Sequence, residues 1–305
     1  MRYYREALHK LLRTKTLILL FYLLNLGSAL IVALPFRSVL GTVAGHSFTG
    51  GAFASGFDAE VILELMSRNT VVGPVFQTLI ALAAAVYGIG ILFFSGGVFG
   101  LYLRNDRFDA GEFWNDAGRM FPRYLRLFLL SLPVLVICYC IQFLETAFVR
   151  IVYGPDPYQT VLYWGVWIRT GLGYLGLLIY AVIFDYARIF AIDSDERNMR
   201  RALGNGIRFV FRHFLPVIGI ALPVFLAGLL LLILYNLVTG GFPSPSTAGL
   251  IVLICLQQAY IAGRVKLRLI LYAVQTSYFA RKVPETPEID GPSDGIIDPN
   301  PLLTI

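Results

Sequence analysis

A chain of 305 residues with 57% hydrophobic and 14% charged side chains and a net charge of +6 has too few charges to coat a water-facing surface, where about 25% is usual. Its mean hydropathy of +0.70 comes from apolar blocks of about 20 residues or more, the length that crosses ~30 Å of hydrocarbon, and this excludes an ordinary soluble domain. The positive balance does not point to nucleic acid, because the basic residues are spread over four segments tied to a membrane.

Backbone polar groups cannot stay unpaired in lipid, so the blocks must be helices or a closed barrel. Residues 229–234 are all Leu or Ile, without the alternation of barrel strands. Six helices are therefore expected. The first spans 16–33 and is stopped by Pro35. Its basic flank (Arg2, Arg5, Lys10, Arg13, Lys15) resembles a signal peptide, but the apolar run is longer than the 7–15 residues of an h-region. It reads as a retained anchor. A long outer loop, 36–70, follows, rich in Gly, Ser and Thr over 41–56 and with a short amphipathic helix over 57–66. The second helix spans 71–103 and the third 127–149. A turn near Tyr153-Gly154-Pro155-Asp156-Pro157 leads to the fourth, 161–192. The fifth spans 215–238. A short turn over 240–245 leads to the sixth, 247–280, either continuous or bent near Gly263. The segment 281–305 is rich in Pro, Asp, Glu and Gly and reads as a disordered cytoplasmic tail.

Lys and Arg placement sets the orientation. Of the 25 basic residues, 21 fall in 1–15, 104–126, 184–213 and the chain from 264 onward. These segments share one side, so both termini are placed in the cytoplasm. The basic excess also predicts attraction to anionic lipid headgroups.

The helices read as one membrane domain, 1–280, built from three units: 1–103, 104–192 and 193–280. Each unit has an amphipathic cytoplasmic elbow helix, a spanning helix, an outer loop and a longer second apolar helix. Asp109-Ala110-Gly111-Glu112 and Asp193-Ser194-Asp195-Glu196 both have the form of a capping box. Each precedes a basic aromatic stretch, 119–126 or 207–213, and a proline, Pro133 or Pro216. Such elbows lie in the headgroup plane or offer a docking surface to a cytoplasmic partner. Units of two spans are parallel rather than inverted.

Charges inside the apolar blocks are the candidate functional residues, since charge in lipid is costly and tends to be paired. Glu145 and Arg169 lie inside consecutive helices and form a candidate ion pair facing the bundle interior; the alternative is that each snorkels separately to the outer interface. At the inner ends, Asp185, Arg188, Arg208, Arg212, Arg264, Lys266 and Arg268 form a candidate basic vestibule for lipid phosphates or an anionic solute. Ordinary positive-inside flanking is the plainer account of them. Gly171-Leu172-Gly173-Tyr174-Leu175-Gly176 fits GxGxxG but follows no strand, so it reads as small residues for helix packing. Gly96 and Gly100 read the same way. Cys138, Cys140 and Cys255 are small apolar packing residues. His9, His46 and His213 have no metal-ligand spacing, and no cofactor or metal is expected. No HExxH, GxSxG or P-loop pattern occurs, and no enzyme activity is expected.

Phe184-Asp185-Tyr186-Ala187-Arg188, the acidic run 193–196 and the stretch 203–216 carry a family resemblance. So does Arg107-Phe108-Asp109, leading through Phe113, Gly118, Arg119 and Phe121 to Arg126. These resemble a broad group of bacterial six-helix inner-membrane proteins, similar to the YciC-like proteins and to the membrane domain fused to some glycerophosphodiester phosphodiesterases. The resemblance implies a six-helix topology in a bacterial inner membrane. It implies no phosphodiesterase activity, because that domain's acidic metal-binding residues do not occur in this sequence.

These features together predict an all-α polytopic protein of the cell envelope that engages lipid or scaffolds other components. The alternative is a transporter or permease-like subunit with a central cavity among the hairpins. A polar cavity lined by Arg169, Glu145, Gln142 or Gln257 favours transport, and a solid glycine-lined centre favours the scaffold. A protein partner or a second copy of the chain fits either function.

Overall fold

The computed structural model describes residues 2–44, 72–104, 108–240 and 247–282. Among the described residues there is no strand. The helices are α1 (Arg2–Arg13), α2 (Lys15–Ala44), α3 (Val72–Arg104), α4 (Ala110–Cys140), α5 (Phe143–Tyr153), α6 (Gln159–Asp193), α7 (Met199–Arg212), α8 (Phe214–Gly240) and α9 (Thr247–Lys282). Among the described residues, five segments are long and apolar enough to cross a membrane: Lys15–Ser38, Gly73–Arg104, Ala110–Tyr153, Gln159–Asp193 and Phe214–Gly240. At 36 residues α9 has the length as well, but Arg264, Lys266 and Arg268 interrupt its apolar run. It reaches Lys282, two residues beyond the expected boundary. The short helix expected over 57–66, His46 and the tail beyond Lys282 lie outside the described residues.

Three local expectations are corrected. Pro35 does not end the first span, since α2 continues through it to Ala44. A proline removes one backbone hydrogen bond and crowds one carbonyl, which kinks a helix where packing holds the next turns. Here the Phe36 ring lies 5.0 Å from that of Phe76 on α3. The second elbow is not a separate helix: α4 runs from Ala110 through Pro122 and Pro133 to Cys140. The break falls at Ile141 and Gln142, where amides bond three residues back, to Cys138 O at 3.3 Å and Tyr139 O at 3.4 Å. Finally, Asp193 is not the N-cap of the third elbow helix. It is the last residue of α6, and the side chain of Asn198 starts α7 by accepting from the Arg200 amide. Asp109 does cap α4, accepting from the amides of Gly111 at 2.7 Å and Glu112 at 3.3 Å. Glu112 then turns to Arg104, 3.4 Å away.

Adjacent long helices pair as hairpins. α2 lies against α3 (Phe21 to Phe94, 5.6 Å). α4 lies against α6 (Ser131 Oγ to Tyr180 Oη, 2.9 Å), and α8 against α9 (Tyr235 stacked on Tyr260, 4.8 Å). The second helices of the hairpins, α3, α6 and α9, touch one another at one end, through Phe99 and Tyr272 at 4.8 Å and Phe190 and Phe279 at 4.7 Å. The amphipathic segments then cross them. The start of α4 lies on α3, where a Cβ at Gly97 would come within 2.4 Å of the Phe113 ring. α7 lies on α6, where a Cβ at Gly206 would meet the Ala187 backbone at 2.8 Å. α1 lies on α9, with Tyr3 and Tyr278 rings 5.8 Å apart and Glu6 paired to Arg281. Buried positions recur at the same spacing in all three: Ala7, Leu11 and Thr14; Phe113, Ala117 and Met120; Ala202, Gly206 and Phe209. The core is concentrated at this end. Away from it the helices present apolar surface, and α5 has no buried residue.

Candidate functional site

Where α3, α6 and α9 meet, Arg188 of α6 is 1% exposed. Burying a guanidinium needs a partner charge and replacement of its hydration. Asp185, one turn earlier on the same face, supplies the charge. The rings of Phe184 (4.6 Å), Phe99 (5.2 Å) and Tyr272 (5.5 Å) surround the cation. Each ring comes from a different helix where that helix meets the others, and each offers its negative face to the charge. Tyr124 of α4 donates to the Arg188 carbonyl at 3.1 Å. Nε and Nη1 of Arg188 have no protein partner. Arg268 stands beside this cluster, its Nε donating to Tyr272 Oη at 2.9 Å, within electrostatic reach of Asp185 and of Tyr87 on α3.

The seven-residue vestibule is therefore divided. Asp185 and Arg188 are sealed in the core and Arg268 is half-buried next to them, while Arg208, Arg212, Arg264 and Lys266 are exposed. Arg208 and Arg212 lie on α7, whose apolar face is turned to α6, so their own face points away from the cluster. The expected pair of Glu145 and Arg169 is not formed. Arg169 lies over the Phe143 ring at 5.2 Å and is exposed. Glu145 rests where a Cβ at Gly165 would sit, 2.3 Å from its Oε1. The absent Gly165 side chain gives the carboxylate its own niche, separate from Arg169. Glu145 also borders a groove of about 590 Å³ between α5 and α6, otherwise lined mainly by apolar side chains such as Phe148, Trp164 and Ile168. Gln142 is buried, and Gln257 is exposed on α9. Gln142, Arg169 and Gln257 do not line that groove.

A second charged cluster ties the helix crossings together, and the sequence reading missed it. Asp116, 4% exposed, takes Arg104 at 2.7 Å and Arg119 at 3.8 Å. Arg119 and Arg123 reach across to Asp195 at 3.7 and 2.5 Å. Asp195 holds φ +42°, a left-handed conformation that Asp tolerates better than most residues. The Arg123 hydrogen bond holds the Asp195 carboxyl below its ordinary value. A carboxylate lowered in the fold stabilises above its unfolded pKa, about 4, and loses that contribution as pH falls. Protection of the amides in the connection 194–198, relative to their intrinsic exchange at each pH, is expected to fall below about pH 4. Arg123→Ala should show the low protection already at neutral pH; equal protection in both proteins at all pH values would refute the clamp.

Among the described residues, no three His, Cys, Asp or Glu side chains come together as a metal would require. Compared with known proteins, the chain matches no family model, no curated protein and no solved structure.

Proposed function

We propose that this is a non-enzymatic, six-span protein of a bacterial inner membrane that engages anionic lipid and scaffolds envelope components. It is built as three parallel hairpin repeats, with its elbows in the cytoplasmic headgroups and both termini in the cytoplasm. The observation that carries the reading is the closed order of contacts. The start of α4 crosses α3, α7 crosses α6, and α1 crosses α9, so the first amphipathic segment completes what the other two begin. The recurring buried spacing of the three segments supports a common origin. Their other faces carry Arg5 and Arg13, Arg119 and Arg126, and Arg208 and Arg212, all exposed, as a helix lying on anionic headgroups needs. Helices approach closely at Gly96, Gly97, Gly100 and Gly206 at this end, which favours a scaffold over a water-wide pore. Placement in a bacterial inner membrane rests on the resemblance of residues 107–126 and 184–216.

Lipid adducts on the purified protein, read by native mass spectrometry after incubation with equal amounts of phosphatidylglycerol and phosphatidylcholine, test this. The anionic lipid is expected to dominate. Each exposed basic residue contributes about 1 kcal/mol of attraction, so Arg208→Glu with Arg212→Glu should cut the preference about tenfold or more. Equal adducts of both lipids on the unaltered protein would overturn the reading.

A further inference from the structure

Glu145 of α5 stands out among the charges that the clusters do not use. It lies roughly 12 Å along α5 from Tyr153, and Gly165, against which it rests, lies roughly 9 Å along α6 from Gln159, taking 1.5 Å per residue. The carboxylate therefore sits beneath the turn 154–158, near the level where headgroups give way to a hydrocarbon layer ~30 Å thick. It borders the groove of about 590 Å³ between α5 and α6. Leu144, Phe148, Trp164 and Ile168 line that groove, and no lining residue except Glu145 is charged. Among the described residues Glu145 makes no ion pair. Its hydrogen bond comes from a neutral donor, Thr146 Oγ1, at 3.2 Å. Arg169, one turn beyond Gly165, lies over the Phe143 ring instead and is not part of the lining. A carboxylate at such depth without a counter-charge is costly. Acyl chains can cover the apolar sides, but they cannot match the acid. A phospholipid carries its amine outermost, beyond the phosphate, so chains lying in the groove would hold that amine above the carboxylate. The match is a molecule whose positive charge and apolar body lie together. The groove has the volume that takes a drug-sized ligand, and aromatic rings such as those of Phe148 and Trp164 attract cations.

We infer that the groove between α5 and α6 binds one lipophilic organic cation, its charge beside the Glu145 carboxylate and its apolar groups against Phe148, Trp164 and Ile168. A cation wrapped in hydrocarbon enters such a groove at little desolvation cost. A small hydrated amine or a metal ion would shed water that the apolar sides cannot replace. Gly165 shapes the site, because its missing side chain leaves room for the carboxylate against α6. The inference does not rest on the anionic-lipid reading above. The elbow α7 follows the Asp193 end of α6, the groove lies toward its Gln159 end, and the two attract charges of opposite sign.

Equilibrium dialysis of radiolabelled tetraphenylphosphonium against the full chain in a neutral detergent, with detergent alone as the blank, tests this. Saturable binding of one cation per chain is expected. Glu145→Gln keeps the shape of the side chain and should lower the affinity about tenfold or more, while Glu145→Asp should keep part of it. Phe148→Ala leaves the charge in place and should lower the affinity about threefold. It reports on the groove even if the Glu145 variants are unstable. Triphenylphosphine oxide, a neutral molecule with a similar apolar body, should not displace the probe. Absence of saturable binding overturns the inference, as does an affinity unchanged in Glu145→Gln. Displacement by the neutral oxide would reduce the groove to a non-selective apolar surface and overturns it too. Displacement by phosphatidylethanolamine but not by phosphatidylglycerol would assign the carboxylate to a lipid headgroup, again against the inference. A lost preference for anionic lipid with cation binding intact would defeat only the lipid-engaging reading and leave the groove as inferred.

Discussion

Arg188→Ala is expected to destabilise the folded protein by about 3–5 kcal/mol, the cost of stranding one member of a buried ion pair. The loss has two sources. Asp185, 5% exposed, is left facing apolar rings, with only Arg268 as a substitute partner. The three rings of Phe99, Phe184 and Tyr272 lose the group that fills the space between α3, α6 and α9. Asp185→Asn should cost less, because an amide can still accept a hydrogen bond from the guanidinium. The double variant Arg188→Met with Asp185→Leu is the informative control. Replacing both charges with apolar groups of similar volume is often neutral, so it should recover most of the stability lost in the single variant. Unfolding of the detergent-solubilised protein, followed by circular dichroism, measures all three. A loss below about 1 kcal/mol in Arg188→Ala, the level of a surface pair, would mean that the cage does not hold the three helices together.

The second large effect is a contrast within one motif. Gly176→Ala should destabilise by at least the ~1–3 kcal/mol of an overpacked site, whereas Gly171→Ala should stabilise by up to ~1 kcal/mol. The added Cβ at Gly176 would stand 2.1 Å from the Cys138 carbonyl oxygen, and a backbone atom cannot rotate away. Relief would require α4 and α6 to separate just before the break at Ile141 and Gln142. At Gly171 nothing lies within 4 Å of the added carbon, so only the helical preference for alanine remains. Melting temperatures of the two variants in the same detergent decide the matter. If both shift in the same direction, the close approach of α4 to α6 is not what selects glycine at 176.

The motif also shows how far the sequence could be read. GxGxxG inside an apolar block excludes a phosphate loop, because no strand precedes it, and small residues suggest helix contact. Which glycine makes the contact depends on which face of α6 meets α4, and that is a property of two helices. Gly173 and Gly176 face Gln142 and Cys138, and Gly171 faces open space. The charged clusters behave in the same way. The spacing of Asp185 and Arg188 already puts them on one face. Nothing in the spacing says that this face is turned toward Phe99 and Tyr272 while Arg208 and Arg212 are turned away, and so the vestibule was drawn too wide. Arg104, Asp116, Arg119 and Asp195 were not recognised as one cluster, because they come from three segments joined only by the crossing of α4 over α3 and its approach to the α6–α7 connection.

What the sequence determined by itself is the helical, membrane-directed class and the positions of the long apolar segments. The reason is local: an unpaired backbone amide in hydrocarbon costs several kcal/mol wherever it occurs, so a long apolar run has few ways to fold. The tertiary structure decided where helices bend and which faces turn inward. Pro35 is absorbed because Phe36 packs on Phe76, Asn198 takes the cap that Asp193 was expected to provide, and α1 lands on α9 although the two stand at opposite ends of the chain. Those outcomes depend on contacts between segments far apart in sequence, whose energies no single stretch contains.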